Sequence, residues 1–225
     1  MADRQNKQRF LAASAAFPFG SSRELEFAGV PVRAMRITFV GELGFELYVD
    51  PAHAPALYDA IVARGAAFGL VHAGYHALNS LRIEKGYRHW GHDICSDDTP
   101  LEAGLGFAVA FDKPGGFLGR EALLARRGRP RERRLVQFAL EDPEPLLYHD
   151  EPIWRDGELV GHTTSGAFGH TLGRSIALGY LNSPSGVSAD WVRAGSYEIE
   201  IACERFSAGP SLRPLYDPRG ERVRA

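Results

Sequence analysis

Cysteine is scarce: Cys95 and Cys203 are the only two among 225 residues, and no CxxC-type spacing joins them. A secreted chain of this size usually carries more, so the expectation is a reducing, cytoplasmic compartment with both thiols free and buried as small hydrophobes. Excess charge is also lacking. A formal net charge of −2 argues against nucleic acid or an anionic membrane as the main partner, since both demand a basic surface. No apolar run approaches bilayer-spanning length, and the opening MADRQNKQRF is charged, without the apolar core of a signal peptide. Nucleophile elbow, P-loop, dinucleotide fingerprint and zinc-ligand spacing are all missing. What remains is a globular composition, 44% apolar and 24% charged, with enough length for one large domain or two modest ones.

Residues 1–34 show little periodicity and read as a lead-in segment; Phe17-Pro18-Phe19-Gly20 would break any helix begun at Arg9-Phe10-Leu11. Arg36–Val40 alternates, Gly41-Glu42-Leu43-Gly44 offers two glycines able to take φ > 0, and Phe45–Val49 alternates again, which predicts a β-hairpin. Pro51–Gly65 and Tyr75–Lys85 carry apolar residues at helical spacing, each closed by glycine. Leu105–Phe111 reads as a strand and Phe117–Arg126 as a third helix. The order predicts an α+β fold whose first domain, residues 35–127, is a ferredoxin-like-type α/β layer. RRGRPRERR, residues 126–134, is polar and broken by Gly128 and Pro130. It reads as a solvated linker, with a landing strip for an anionic tail as the functional alternative. Beyond it, residues 128–225 carry short strands at 135–140, 152–155, 159–162, 175–180 and 197–202, which predict a small C-terminal β-barrel.

Period-2 geometry puts Glu46 and Tyr48 on one face of the second hairpin strand, opposite Phe45, Leu47 and Val49. A carboxylate flanked by apolar residues is costly unless it meets donors. The edge of a pterin or guanine ring offers two parallel N–H donors that one carboxylate can accept, with Tyr48 or Phe39 as an aromatic wall. The plainer alternative is a solvent-facing Glu on an edge strand. His89, His92 and Asp93 could face a metal only if helical, and Trp90-Gly91 reads instead as a turn. The glycine-rich run Gly166–Gly173 lies in strand and turn context, unsuited to phosphate.

The motif order resembles that of the aminomethyltransferase (glycine-cleavage T-protein) family. It runs from Met35–Val49 through Asn79–Gly86, Gly91–Ile94, Pro100–Phe107, Phe117–Leu123, Thr164–Gly166 and Ala177–Tyr180 to Leu215–Pro218. The variant with Gly-Glu-Leu-Gly-Phe-Glu and Leu-Arg-Ile-Glu-Lys is most similar to the folate-binding end of dimethylglycine and sarcosine dehydrogenases. The resemblance implies tetrahydrofolate as cofactor, with Glu46 gripping the pterin. Phe39 stands where the family often has a stacking tyrosine, Phe107 where it has Trp or Tyr, Leu47 and Tyr48 line the same pocket, and Tyr216 is a further contact. It also implies capture of a one-carbon unit to form 5,10-methylenetetrahydrofolate, with FAD only on a separate domain or partner chain. Three departures accompany it. Leu78 replaces a common arginine, Phe39 lacks a hydroxyl, and nothing before Phe17 resembles the segment that holds the family's catalytic Asp. The catalytic residue is therefore unassigned. The competing readings are a non-catalytic interaction module exposing Phe17, Phe19 and Phe27, and a small enzyme in which Asp93 or Asp97 replaces the acid.

Overall fold

A computed structural model describes residues 16–224. The readings of MADRQNKQRF and of a helix start at Arg9–Leu11 lie outside the described residues. Two compact units emerge: one runs to Asn79 and takes in the segment from Arg219, and the other is Ser80–Pro218.

The first unit is built on an antiparallel sheet of β1 (Ser22–Phe27), β2 (Val30–Met35) and β3 (Glu46–Tyr48), in that order. Ala28 and Gly29 both take positive φ, 53° and 79°, which closes the tight β1–β2 hairpin with the twist its strands need. Along β2, Val30, Val32 and Ala34 point inward while Pro31 and Arg33 face water. Helix α1 (Ala54–Gly65) follows a 3-10 turn at Pro51–His53, whose first free N–H, on Ala52, is taken by Asp50 Oδ1 at 2.9 Å. Val30, Val32 and Leu57 form a small core lined by Phe27, Val49 and Ile61.

This corrects the sequence reading twice. The lead-in contains two strands, and the predicted strand Arg36–Val40 is a loop: β2 stops at Met35 and β3 starts at Glu46. The alternation of Arg36–Val40 is defeated by its own side chains. Arg36 is buried and donates Nη1 to the Phe17 carbonyl at 2.7 Å, and Thr38 Oγ1 accepts the Val40 N–H. Of the two turn glycines, only Gly41 takes positive φ.

Helix α2 (Tyr75–Glu84) ends at Gly86, whose φ of 64° is the left-handed geometry that closes a helix. Beyond it, Leu105–Phe111 is not a strand but a loop with a 3-10 turn at Gly106–Ala108. Helix α3 (Arg120–Arg127) begins three residues later than expected, after Gly119.

The second unit is dominated by a closed barrel. Its strands are β4 (Arg133–Leu140), β5 (Pro152–Arg155), β6 (Glu158–Gly169), β7 (Arg174–Asn182), β8 (Tyr197–Ile201) and β9 (Glu204–Ser211), in the order β4-β7-β6-β5-β8-β9. Val136, Phe138, Leu140, Ile153, Leu181 and Ile199 fill it, all nearly excluded from water. On the other side of the wall, Leu135, Ile176, Leu178 and Tyr180 pack with Ile83. A short helix of this unit, α4 (Ala189–Ala194), is capped by the Ser188 hydroxyl, whereas α5 (Glu221–Arg224) belongs to the first unit. Both cysteines are exposed rather than buried: Cys203 sits with Ala202 in the β8–β9 turn, where both take positive φ. Among the described residues no helix is long and apolar enough to cross a membrane.

Candidate functional site

The β2–β3 hairpin does place Glu46 and Tyr48 side by side. Register sets Glu46 opposite Met35, Leu47 opposite Ala34 and Tyr48 opposite Arg33. Tyr48 Oη donates to Glu46 Oε2 at 2.6 Å. That hydrogen bond, then burial and the nearby negative charge, push the Tyr48 hydroxyl pKa upward, so it stays protonated as a donor. The hydrogen bond engages Oε2 of the carboxylate. Its surroundings differ from the expectation, since Glu46 is exposed, as are Phe45, Leu47 and Tyr48. β3 is only three residues long, and among the described residues it pairs with β2 alone. Phe39 lies half-buried in the 36–45 loop of the same unit.

Phe107 and Tyr216 belong to the second unit. Phe107 stands in the 3-10 turn with 86% of its surface open. Tyr216 is half-buried, its backbone N–H donating to the Glu84 carbonyl at 3.1 Å. Within the first unit, Phe17 meets Phe45 at 5.3 Å with Arg23 over its ring, Phe27 packs into the small core, and Phe19 remains exposed. Of the three phenylalanines expected to form one open face, only Phe19 is open.

Sequence reasoning missed a buried polar framework at the end of α2. Arg82 Nη1 meets Asp93 Oδ2 at 2.5 Å and also donates to the Tyr87 carbonyl. Asp93 further accepts from the His89 N–H and, through Oδ1, from Thr164 Oγ1 and Ser165 Oγ at 2.6 Å each. Glu84 Oε1 accepts the N–H groups of Thr171 and Leu172, and Lys85 Nζ lies 2.5 Å from Asp217 Oδ2. Gln137 donates to the Ile83 carbonyl and accepts the Leu215 N–H. Every charge in Arg-Ile-Glu-Lys is thus spent on tying α2 to β6, to the β6–β7 turn and to residues 215–217. The only signal in the sequence was a helix end whose charged residues had no polar face of their own.

Asp93 is therefore buried and engaged by Arg82, His89, Thr164 and Ser165, whereas Asp97 lies exposed. His89 and His92 stack at 4.5 Å, and burial, followed by the charges of His92 and Arg82, lowers the His89 pKa. Among the described residues no group of three or more His, Cys, Asp or Glu could hold a metal.

Comparisons with known proteins agree with one another. Residues 6–113 match the GCVT N-terminal domain model, and 133–217 match the glycine cleavage T-protein C-terminal barrel domain. Human mitochondrial sarcosine dehydrogenase is 47% identical over 211 residues, covering 93% of this chain and 23% of that protein. An aminomethyltransferase of Streptomyces avermitilis is 40% identical over 190 residues, covering 80% and 50%. The crystal structure of glycine cleavage system aminomethyltransferase T from Bartonella henselae superposes with a TM-score of 0.77 at 23% identity, covering 92% and 56%, which establishes a shared fold. The chain thus spans less than a quarter of the first relative and half of the second.

Proposed function

We propose that this chain, which belongs to the glycine-cleavage T-protein (aminomethyltransferase) family, binds tetrahydrofolate and holds its pterin through Glu46. The supporting observation is the Tyr48–Glu46 hydrogen bond: it takes one lone pair of Oε2 and leaves Oε1 and the second lone pair of Oε2 to accept the two parallel ring N–H donors. The donor set suits the group, since the pterin edge supplies two parallel N–H groups and a carboxylate supplies acceptors only. When bound, the folate accepts a one-carbon unit at the formaldehyde level, giving 5,10-methylenetetrahydrofolate. The work of this chain is binding and orientation, with Phe39, Leu47 and Tyr48 around the ring. The acid and any flavin chemistry are assigned to another domain or a partner chain, in keeping with relatives of which this chain covers only part.

Calorimetric titration with tetrahydrofolate tests the reading. Loss of a charge-assisted pair costs about 1.5–3 kcal/mol, so Glu46→Gln weakens binding by about ten- to a hundredfold. Unchanged affinity removes the clamp. A second reading, an interaction module without folate, is favoured by the exposure of Phe45, Glu46, Leu47 and Tyr48 together. It predicts no folate binding and self-association on gel filtration.

A further inference from the structure

The arginine-rich segment between α3 and β4 does not behave as a free tether. The Val187 N–H donates to the Arg131 carbonyl at 2.6 Å and the Ser183 N–H to that of Glu132 at 2.8 Å. Gly186, at φ 98°, sits so close that an added Cβ would lie 2.9 Å from Pro130 Cβ. The segment is thereby folded around a cavity of about 520 Å³, wholly within the second unit, with Arg127, Arg129, Arg131 and Arg134 in its wall beside Ser185, Ser188 and Trp191.

Among the described residues no carboxylate lines this cavity. Asp190 pairs with Arg193, and Glu102 approaches Arg126. Glu132 lies on the segment itself, exposed, and does not line the cavity. Among the described residues Arg129, Arg131 and Arg134 enter no ion pair, while Arg127 lies over the Phe111 ring at 4.5 Å. Arg131 and Arg134 are half-buried, and burial, then the charges of Arg131 and Arg193, hold the Arg134 pKa below the ordinary arginine range. Ser188 Oγ accepts the Trp191 N–H, which leaves its own hydrogen free to donate. An adjoining hollow of about 610 Å³ shares Arg127 and Arg131 and adds Lys113 and Asp112.

We infer that this cavity is a binding site for a small polyanion carrying two or more closely spaced oxyanions. A concave site of this volume suits a ligand of that size, and guanidinium forks match carboxylates and phosphates alike. A monoanion would leave the crowded cations uncompensated; a ligand with several charges satisfies them together. This inference stands independently of the folate reading, because its residues share nothing with Glu46 and the hairpin.

The test is calorimetry on the full chain at low salt, with inorganic tripolyphosphate as one probe and a γ-linked tetraglutamate as the other. One saturable site is expected for at least one probe, and the tighter of the two identifies phosphate or carboxylate as its chemistry. Arg131→Gln with Arg134→Gln weakens it at least tenfold, whereas Glu46→Gln changes it less than twofold. Arg129→Glu alters an exposed side chain and spares the fold, and it weakens binding at least fivefold. Absence of saturable binding by both probes, or affinity that Arg129→Glu leaves unchanged, overturns the proposal.

Discussion

The guanidinium of Arg82 lies 2.5 Å from the carboxylate of Asp93, and both side chains are almost wholly withdrawn from water. Thr164, Ser165 and the His89 N–H complete the shell around that carboxylate. Removing one member of such a pair leaves the other charge buried without compensation. Asp93→Ala therefore destabilises the chain by about 3–5 kcal/mol, read from the urea midpoint. An unaltered midpoint contradicts the anchoring role.

Glu84 makes its contribution through backbone. Its Oε1 takes the N–H groups of Thr171 and Leu172, binding the end of α2 to the β6–β7 turn. Glu84→Ala removes a buried carboxylate that both donors share and costs about 1.5–3 kcal/mol. Glu84→Gln keeps an acceptor in place and loses less. Thermal unfolding of the two variants gives the ranking, and equal losses would mean the carboxylate is not what holds the turn.

Acid sensitivity follows from Asp98. Burial acts to raise its pKa, but the hydrogen bond from Arg133 and that from the Cys95 N–H outweigh it and leave the carboxyl below its ordinary value. The folded chain then binds fewer protons at this site than the unfolded chain. The stabilisation is complete above the ordinary value of about 3.8 and is lost as pH falls through the lowered one. Asp98→Asn therefore flattens the decline of stability below about pH 4. Parallel curves for parent and variant would show that the pair does not drive it.

The barrel tolerates no side chain at Gly161. A Cβ there would lie 1.8 Å from the Tyr180 carbonyl oxygen on β7, forcing β6 and β7 apart. Gly161→Ala is expected to cost about 1–3 kcal/mol by overpacking. Gly128→Ala meets nothing within 4 Å at a φ of −94° and serves as a neutral control. Similar chemical-denaturation midpoints for both would contradict the close approach.

Much of the fold was legible because binary patterning and turn chemistry act locally. Pro152–Arg155 and the span of α1 follow from alternation, helical spacing and flanking glycine. β9 was not legible: Glu-Arg-Phe-Ser-Ala-Gly-Pro-Ser has little strand propensity, and it becomes a strand because β4 and β8 flank it and close the barrel. The first hairpin was misplaced because Arg36 and Thr38 bond to backbone instead of extending the ladder. At the candidate site, period-2 geometry found the Glu46–Tyr48 pairing, but not its exposure, which depends on what covers β3. The buried framework was hidden for another reason. Lys85 meets Asp217, 132 residues on, and no local pattern encodes a partner so distant.

The most direct measurement is a double-mutant-style cycle between the Glu46 carboxylate and the ligand's 2-amino group. Parent and Glu46→Gln chains are each titrated with tetrahydrofolate and with its 2-desamino analogue. A pterin clamp predicts that Glu46→Gln weakens the parent ligand by about ten- to a hundredfold and the analogue far less, leaving a coupling of about 1.5–3 kcal/mol. Equal losses for the two ligands, and so no coupling, would contradict it.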